Sequence, residues 1–225
     1  MQNIIFLVVG LIQLIIAFIG TRNVLKHFSW YAVLVLIVVY GLAYDNLSIA
    51  SGAVFGVSET TRLLNVPRYV IHALFTPGMM IAAWGILRWK GVKWAGNRLW
   101  HSLVCGLATA LILLGSYVDI LNLTLVPNET NGVVRYVNDF HLFRGPPIPA
   151  VLTIIVVLVL GGVVWRKFKW PWMFVGALLM FFGAAAPVIL LQNIGEIAIA
   201  AGLVTTIIWA NGGLSARPAP VAQPS

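Results

Sequence analysis

The chain has 225 residues, of which 60% are hydrophobic and 9% charged; an average soluble domain carries about 25% charged residues. Fourteen Lys and Arg against six Asp and Glu leave a formal charge of +8, and Cys105 is the single cysteine. These figures exclude a soluble globular domain, a disordered chain and a disulfide scaffold. They define an all-α polytopic integral membrane protein, in which a basic excess spread along an apolar chain signals orientation and not nucleic-acid binding.

A crossing helix needs about 20 mostly apolar residues. Seven segments qualify, at residues 3–20, 30–51, 68–89, 100–121, 149–165, 171–191 and 195–209. None alternates as a barrel strand does. The first lacks a basic leader, since Met1-Gln2-Asn3 has no cationic side chain, and reads as a retained helix. The second carries Tyr40, Tyr44, Asp45, Asn46 and Ser48 in its far half. A loop over 52–67 leads to the third, which opens with Arg68, His72 and Thr76 at i, i+4 and i+8, one polar stripe that stops at Pro77. The fourth ends with Ser116 and Asp119, and a long loop over 122–148 brings Arg135, Asp139, His141 and Arg144. Gly176, Gly183 and Ala184–Ala186 in the sixth allow close packing against Ala198, Ala201 and Gly202 in the seventh. Pro187 breaks the sixth, and Gln192–Glu196 reads as a tight polar turn before the seventh. One seven-helix domain thus fills residues 1–214, followed by a disordered Pro/Ala-rich tail at 215–225.

Ten of the fourteen basic residues fall on one side of these spans. The positive-inside rule makes that side cytoplasmic, with the N-terminus outside and the C-terminus inside. All nine Trp lie near the same boundary, and all six acidic residues lie in the opposite half. Tyr44-Asp45-Asn46 and the run from Arg68 to Pro77 resemble stretches of bacterial integral-membrane proteins, which implies a multi-pass protein of the bacterial cytoplasmic membrane.

Ionisable groups at membrane depth are costly and are functional candidates by default. Asp45, His72, Asp119 and Glu196 reach one depth from four helices and are the expected acid/base residues. Tyr44, Asn46, Arg68 and Arg135 are the expected substrate-binding residues around them. The bland alternatives are snorkelling, a structural Asp45–Arg68 ion pair, and helix-end stabilisation of Glu196.

Several chemistries are disfavoured. The five lysines sit in the basic loops, so none supplies a retinal Schiff base in the last span. His27 and His101 lie at the opposite boundary from His72 and His141, which excludes a haem pair and a three-histidine zinc site. No metal is expected, although a site of His72, His141 and carboxylates remains open. No GxSxG elbow or phosphate-binding Gly loop occurs, Cys105 reads as packing, and no motif names a cofactor or an oligomeric state.

The expected function is a membrane-embedded enzyme acting on a lipid or isoprenoid-like substrate by acid/base chemistry. With Asp45 on an early helix and Glu196 on a late one, the layout is similar to that of the membrane-bound terpene cyclases, small seven-helix proteins that draw acids from such a pair. No motif is shared, so no residue role follows from the likeness. The alternatives are a small seven-helix transporter and a non-catalytic accessory or assembly subunit.

Overall fold

The computed structural model describes residues 2–130, 132–142, 147–186 and 188–212. Arg144, Pro187 and the tail at 215–225 lie outside them. The described chain is mostly helical. Helix α1 (Gln2–Lys26) is a mostly apolar run, and α2 (Trp30–Phe55) is apolar up to Val39 and carries its polar side chains from Tyr40 onward. Backbone hydrogen bonds close within such a helix, as a lipid environment requires. Gly56, at φ 57°, ends α2.

The third predicted span comes out as two helices. Helix α3 (Glu59–Phe75) begins nine residues before the predicted start at Arg68, so most of the expected 52–67 loop is helical. Ser58 caps it, its Oγ accepting the Thr61 N–H at 3.3 Å, and Glu59 adds a carboxylate to the first turn. The helix then runs through Pro67. It stops before Pro77, where no N–H is available and the ring crowds the preceding turn. Met79 and Met80 donate instead to Thr76 and Pro77 at 3.1 Å each, a tightened turn. Helix α4 (Gly78–Trp89) continues at 41° to α3.

Helix α5 (Arg98–Ser116) is capped by Asn97, whose Oδ1 accepts the Leu99 N–H at 2.8 Å, and it ends in a π-helical turn over Tyr117–Leu121. The long loop expected after it contains an antiparallel hairpin, β1 (Leu125–Thr130) on β2 (Val133–Asn138), in the register Thr130 opposite Val133. Gly132, at φ 75°, lies in the connection, a backbone region that favours glycine. Helices α6 (Ile148–Phe168), α7 (Trp172–Ala185) and α8 (Ile189–Ala210) complete the bundle. Helix α8 starts six residues before the predicted span, so Gln192–Glu196 is helix and not a turn.

Five of the described helices are long and apolar enough to cross a membrane, and the bent α3–α4 pair makes six if it counts as one span. The chain is a multi-span membrane protein. Helix α7 has 14 residues, below the length of a full crossing.

Between lipid-facing helices apolar burial drives little, so close packing has to hold them. Helices α7 and α8 make the most extensive contact in the fold. A Cβ on Gly202 would stand 2.5 Å from the Trp172 carbonyl oxygen, and one on Gly176 would stand 2.5 Å from that of Ala198. Gly176, Gly183, Ala198 and Gly202, singled out in the sequence, therefore form this seam, while Ala185 is exposed. Val35, Val39, Trp84, Leu87, Val157, Met173 and Leu203 fill the common core of α2, α4, α6, α7 and α8.

The two ends of the bundle differ. At one, Trp170 stacks on Trp209 with ring centroids 5.4 Å apart and donates its indole N–H to Thr206 at 3.1 Å. Lys90 lies 4.4 Å over the same Trp209 ring. Glu196 sits on α8 thirteen residues before Trp209, about 20 Å along the helix. The polar side chains gather at that opposite end.

Candidate functional site

The site grows from three helices. Asn65, Arg68, His72 and Thr76 recur at i+3 and i+4 along α3, so they share a face. That face meets α2 at Asp45. The Arg68 Nε donates to Asp45 Oδ1 at 2.6 Å, and its Nη1 donates to Asn65 Oδ1 at 2.5 Å. The His72 Nε2 stands 3.6 Å from the same Asp45 oxygen, and its Nδ1 lies 3.3 Å from Thr76 Oγ1. From α8, Glu196 Oε2 accepts the Asn46 side-chain N–H at 3.0 Å. Asp45, Arg68 and Glu196 are buried, and Asn46 has no exposed surface.

Asn46 is the hub behind this cluster. Its Nδ2 also lies 3.0 Å from Gln13 Oε1 and from the Leu42 carbonyl, so its two N–H groups are shared among three acceptors, and its Oδ1 accepts from Asn193 Nδ2 at 2.5 Å. One amide thereby joins α1, α2 and α8. Buried polar networks of this kind rigidify when satisfied and are costly when broken. Among the described residues, Gln13 Nε2 is a fully buried atom of this hub without a hydrogen-bond partner.

The cluster forms one wall of a cavity of about 230 Å³. Leu42, Met79, Ile154, Met180 and Ile199 line its apolar side. Tyr69, Asp119, Arg135 and Gln192 stand at its polar rim. The hairpin is bolted over this rim. The Tyr69 hydroxyl donates to the Tyr136 carbonyl at 3.1 Å and accepts the Asn138 N–H at 3.0 Å. Asn65 Oδ1 accepts the Tyr136 N–H at 3.3 Å, and Asn138 Nδ2 donates to Asp119 Oδ1 at 3.2 Å. A Cβ on Gly52 of α2 would fall 1.9 Å from the Val134 carbonyl oxygen, so only glycine lets the strand lie so close.

Burial, and then the charge of Arg68, press the Arg135 pKa below its ordinary value. An arginine stays protonated through such a shift. Among the described residues its guanidinium has neither a hydrogen bond nor an ion pair.

Six of the eight predicted site residues meet at this cavity: Asp45, Arg68, His72, Asp119, Arg135 and Glu196 all line it. Asn46 supports it from behind through Glu196. Tyr44 does not line it; its hydroxyl donates to the Leu64 carbonyl at 2.9 Å, where Ser48 also donates at 2.8 Å, so it ties α2 to α3. Glu196 lies seven residues inside α8, which removes helix-end stabilisation as its reason for being there. His141 is exposed and lies outside the cluster. Sequence reasoning does not single out Gln13, Asn65 or Tyr69, whereas Asn193 lies in the Gln192–Glu196 segment that it does. Gln13 and Asn193 were detectable as amides at membrane depth.

Asp45, His72 and Glu196 each offer one ligand atom, and these atoms lie within 4.8 Å of one another. Two carboxylates and an imidazole are a donor set that a divalent ion accepts. Arg68 opposes an ion there, because it already engages Asp45 and repels a second cation. Fold and site together define a multi-span membrane protein with a buried Asp45–Arg68–His72–Glu196 cluster. No family model, curated protein or solved structure matches the chain.

Proposed function

We propose that this protein is a membrane-embedded enzyme acting by acid/base chemistry on an amphiphilic, lipid or isoprenoid-like substrate. The observation that carries this reading is the mixed lining of one cavity, which takes in Asp45, Arg68, His72 and Glu196 together with Leu42, Met79, Ile154, Met180 and Ile199. An apolar chain fits the second set while the reacting polar group meets the first.

The charge balance favours proton transfer. Asp45 and Arg68 cancel as an ion pair at 2.6 Å. One proton shared between His72 and Glu196 leaves that pair neutral overall in either arrangement. Moving this proton to or from a bound substrate is general acid/base catalysis. Asp45 acts as the charge partner that orients His72. Asp119 and Arg135 serve the substrate from the rim, and Asn46 positions Glu196.

The chain is further read as seven crossings, with α7 as a short one of about 21 Å. The N-terminus is outside, the C-terminus is cytoplasmic, and the cavity opens outward in a bacterial cytoplasmic membrane. The ten basic residues and nine tryptophans of the opposite boundary support that orientation.

Incubation of the purified protein with a bacterial total lipid extract, followed by mass spectrometry, tests the enzyme. Wild type should convert at least one lipid species. Glu196→Gln and His72→Asn should each slow the conversion by about 100-fold or more while the unfolding temperature holds. Unchanged turnover in both variants would remove the acid/base reading. A transporter is the second reading, favoured by the break at Thr76–Pro77 beside the cavity, since discontinuous helices line transporter sites. Uptake into proteoliposomes without chemical change would select it.

A further inference from the structure

We infer that the substrate's headgroup is anionic, a phosphate or a carboxylate, and that Arg135 holds it at the rim of the cavity. This deepens the amphiphile reading above and rests on it.

The first observation is an imbalance among the charged groups that line the cavity. Asp45 is met by Arg68 at 2.6 Å and by His72 at 3.6 Å. Glu196 is met by Asn46 at 3.0 Å, and Asp119 by Asn138 at 3.2 Å. Arg135 makes no side-chain hydrogen bond or ion pair among the described residues, although the charge of Asp45 acts on it from a distance. Arg68 spends Nε on Asp45 and Nη1 on Asn65, so its Nη2 is a second unfilled donor. A half-buried guanidinium without a hydrogen-bond partner has donors to offer, and an oxyanion with two or three oxygens is its natural complement.

The second observation is that Arg135 is held in place. Its neighbour Val134 is seated against Gly52 of α2. Its other neighbour, Tyr136, is bonded through both backbone groups, the N–H to Asn65 and the carbonyl to Tyr69 of α3. The strand therefore presents Arg135 to the cavity from a backbone fixed on both sides. A loop arginine free to reach water needs no such anchoring, whereas a binding residue gains affinity from it.

The third is the order of the surroundings. Arg135 lines the cavity with Tyr69 and Gln192, which stand three and four residues before His72 and Glu196 on α3 and α8, and the apolar wall at Leu42 and Ile199 stands three residues from Asp45 and Glu196 on the other side, toward the tryptophan end. A head at Arg135 and a chain along that wall place the middle of the molecule next to His72 and Glu196. Asp119, held by Asn138 at 3.2 Å, is the rim carboxylate that a bound anion has to avoid, and no ion pair ties it to Arg135 among the described residues.

Three probes separate the parts of this inference: oleyl phosphate, oleyl alcohol and inorganic phosphate, each added to the full-length protein in a neutral detergent. Affinity is read by native mass spectrometry and by the rise in unfolding temperature. Oleyl phosphate should bind wild type about tenfold tighter than oleyl alcohol, the worth of one charge-assisted contact. Arg135→Gln should erase that preference without changing oleyl alcohol binding, and Arg135→Lys should restore part of it. Equal binding of both oleyl compounds, or a preference that survives Arg135→Gln, overturns the inference and leaves the amphiphile reading standing. Inorganic phosphate binding as tightly as oleyl phosphate overturns the amphiphilic source. If neither oleyl compound binds wild type, both readings fall.

Discussion

Asp45 and Arg68 stand 23 residues apart in sequence and 2.6 Å apart in space, joining α2 to α3 with both side chains withdrawn from solvent. Neither can be removed alone without stranding the other. Asp45→Leu and Arg68→Leu should each cost about 3–5 kcal/mol, because each leaves an uncompensated buried charge. The double replacement should cost less than the sum of the two. Unfolding curves of the three variants in one detergent measure the coupling; strict additivity would mean that the pair does not interact.

Asn46 has four partners on three helices. Asn46→Ala should cost about 1–3 kcal/mol for each buried group it leaves unsatisfied. The comparison of interest is with Glu196→Gln, which keeps an acceptor for Asn46. Glu196→Gln should unfold close to wild type while Asn46→Ala unfolds well below it. The reverse order would show that Glu196 is held by its charge and not by this hydrogen bond.

At Gly52 even one added carbon has no room beside Val134. Gly52→Ala should displace the hairpin, lowering stability by about 1–3 kcal/mol and exposing β2 to proteases. Gly96→Ala is the control, since its new Cβ would meet nothing within 4 Å. Equal protease resistance in the two variants would contradict the close seat of β2 on α2.

Glu59 and Arg62 also form an ion pair, at 2.6 Å, but both side chains are exposed. Exposed pairs contribute little. Glu59→Gln should leave the unfolding temperature unchanged, in contrast to Asp45→Leu. A drop comparable to that of Asp45→Leu would mean that the α3 N-terminus is anchored by charge and not by the Ser58 cap.

Much of the site was legible before any coordinates. Asp45, Arg68, His72, Asp119, Arg135 and Glu196 stood out because ionisable groups are rare in apolar spans, and rarity is visible in one dimension. Tyr44 was misleading: its hydroxyl fits the same pattern, yet it turns to the Leu64 carbonyl. The hairpin is hard to see because only its second strand, Val133–Asn138, is rich in β-branched residues; Pro127, Asn128 and Glu129 disguise the first, leaving Asn131-Gly132 as the one turn signal. The true starts of α3 and α8 were missed because each begins ahead of the most apolar stretch. Ser58 marks α3 as a cap, while no capping side chain marks α8.

The sequence by itself determined the medium and the inventory. Long apolar runs with few charges require a bilayer, and the few polar side chains within them are the material from which a site can be built. Only the tertiary structure decided which of these meet. Asp45, Arg68 and Glu196 come from helices separated by up to 151 residues, and their convergence depends on how α2, α3 and α8 pack. The same packing left Arg135 lining the cavity with no hydrogen bond or ion pair among the described residues. Pairing across helices is a three-dimensional outcome, because helical periodicity says which residues share a face but not which face each will meet.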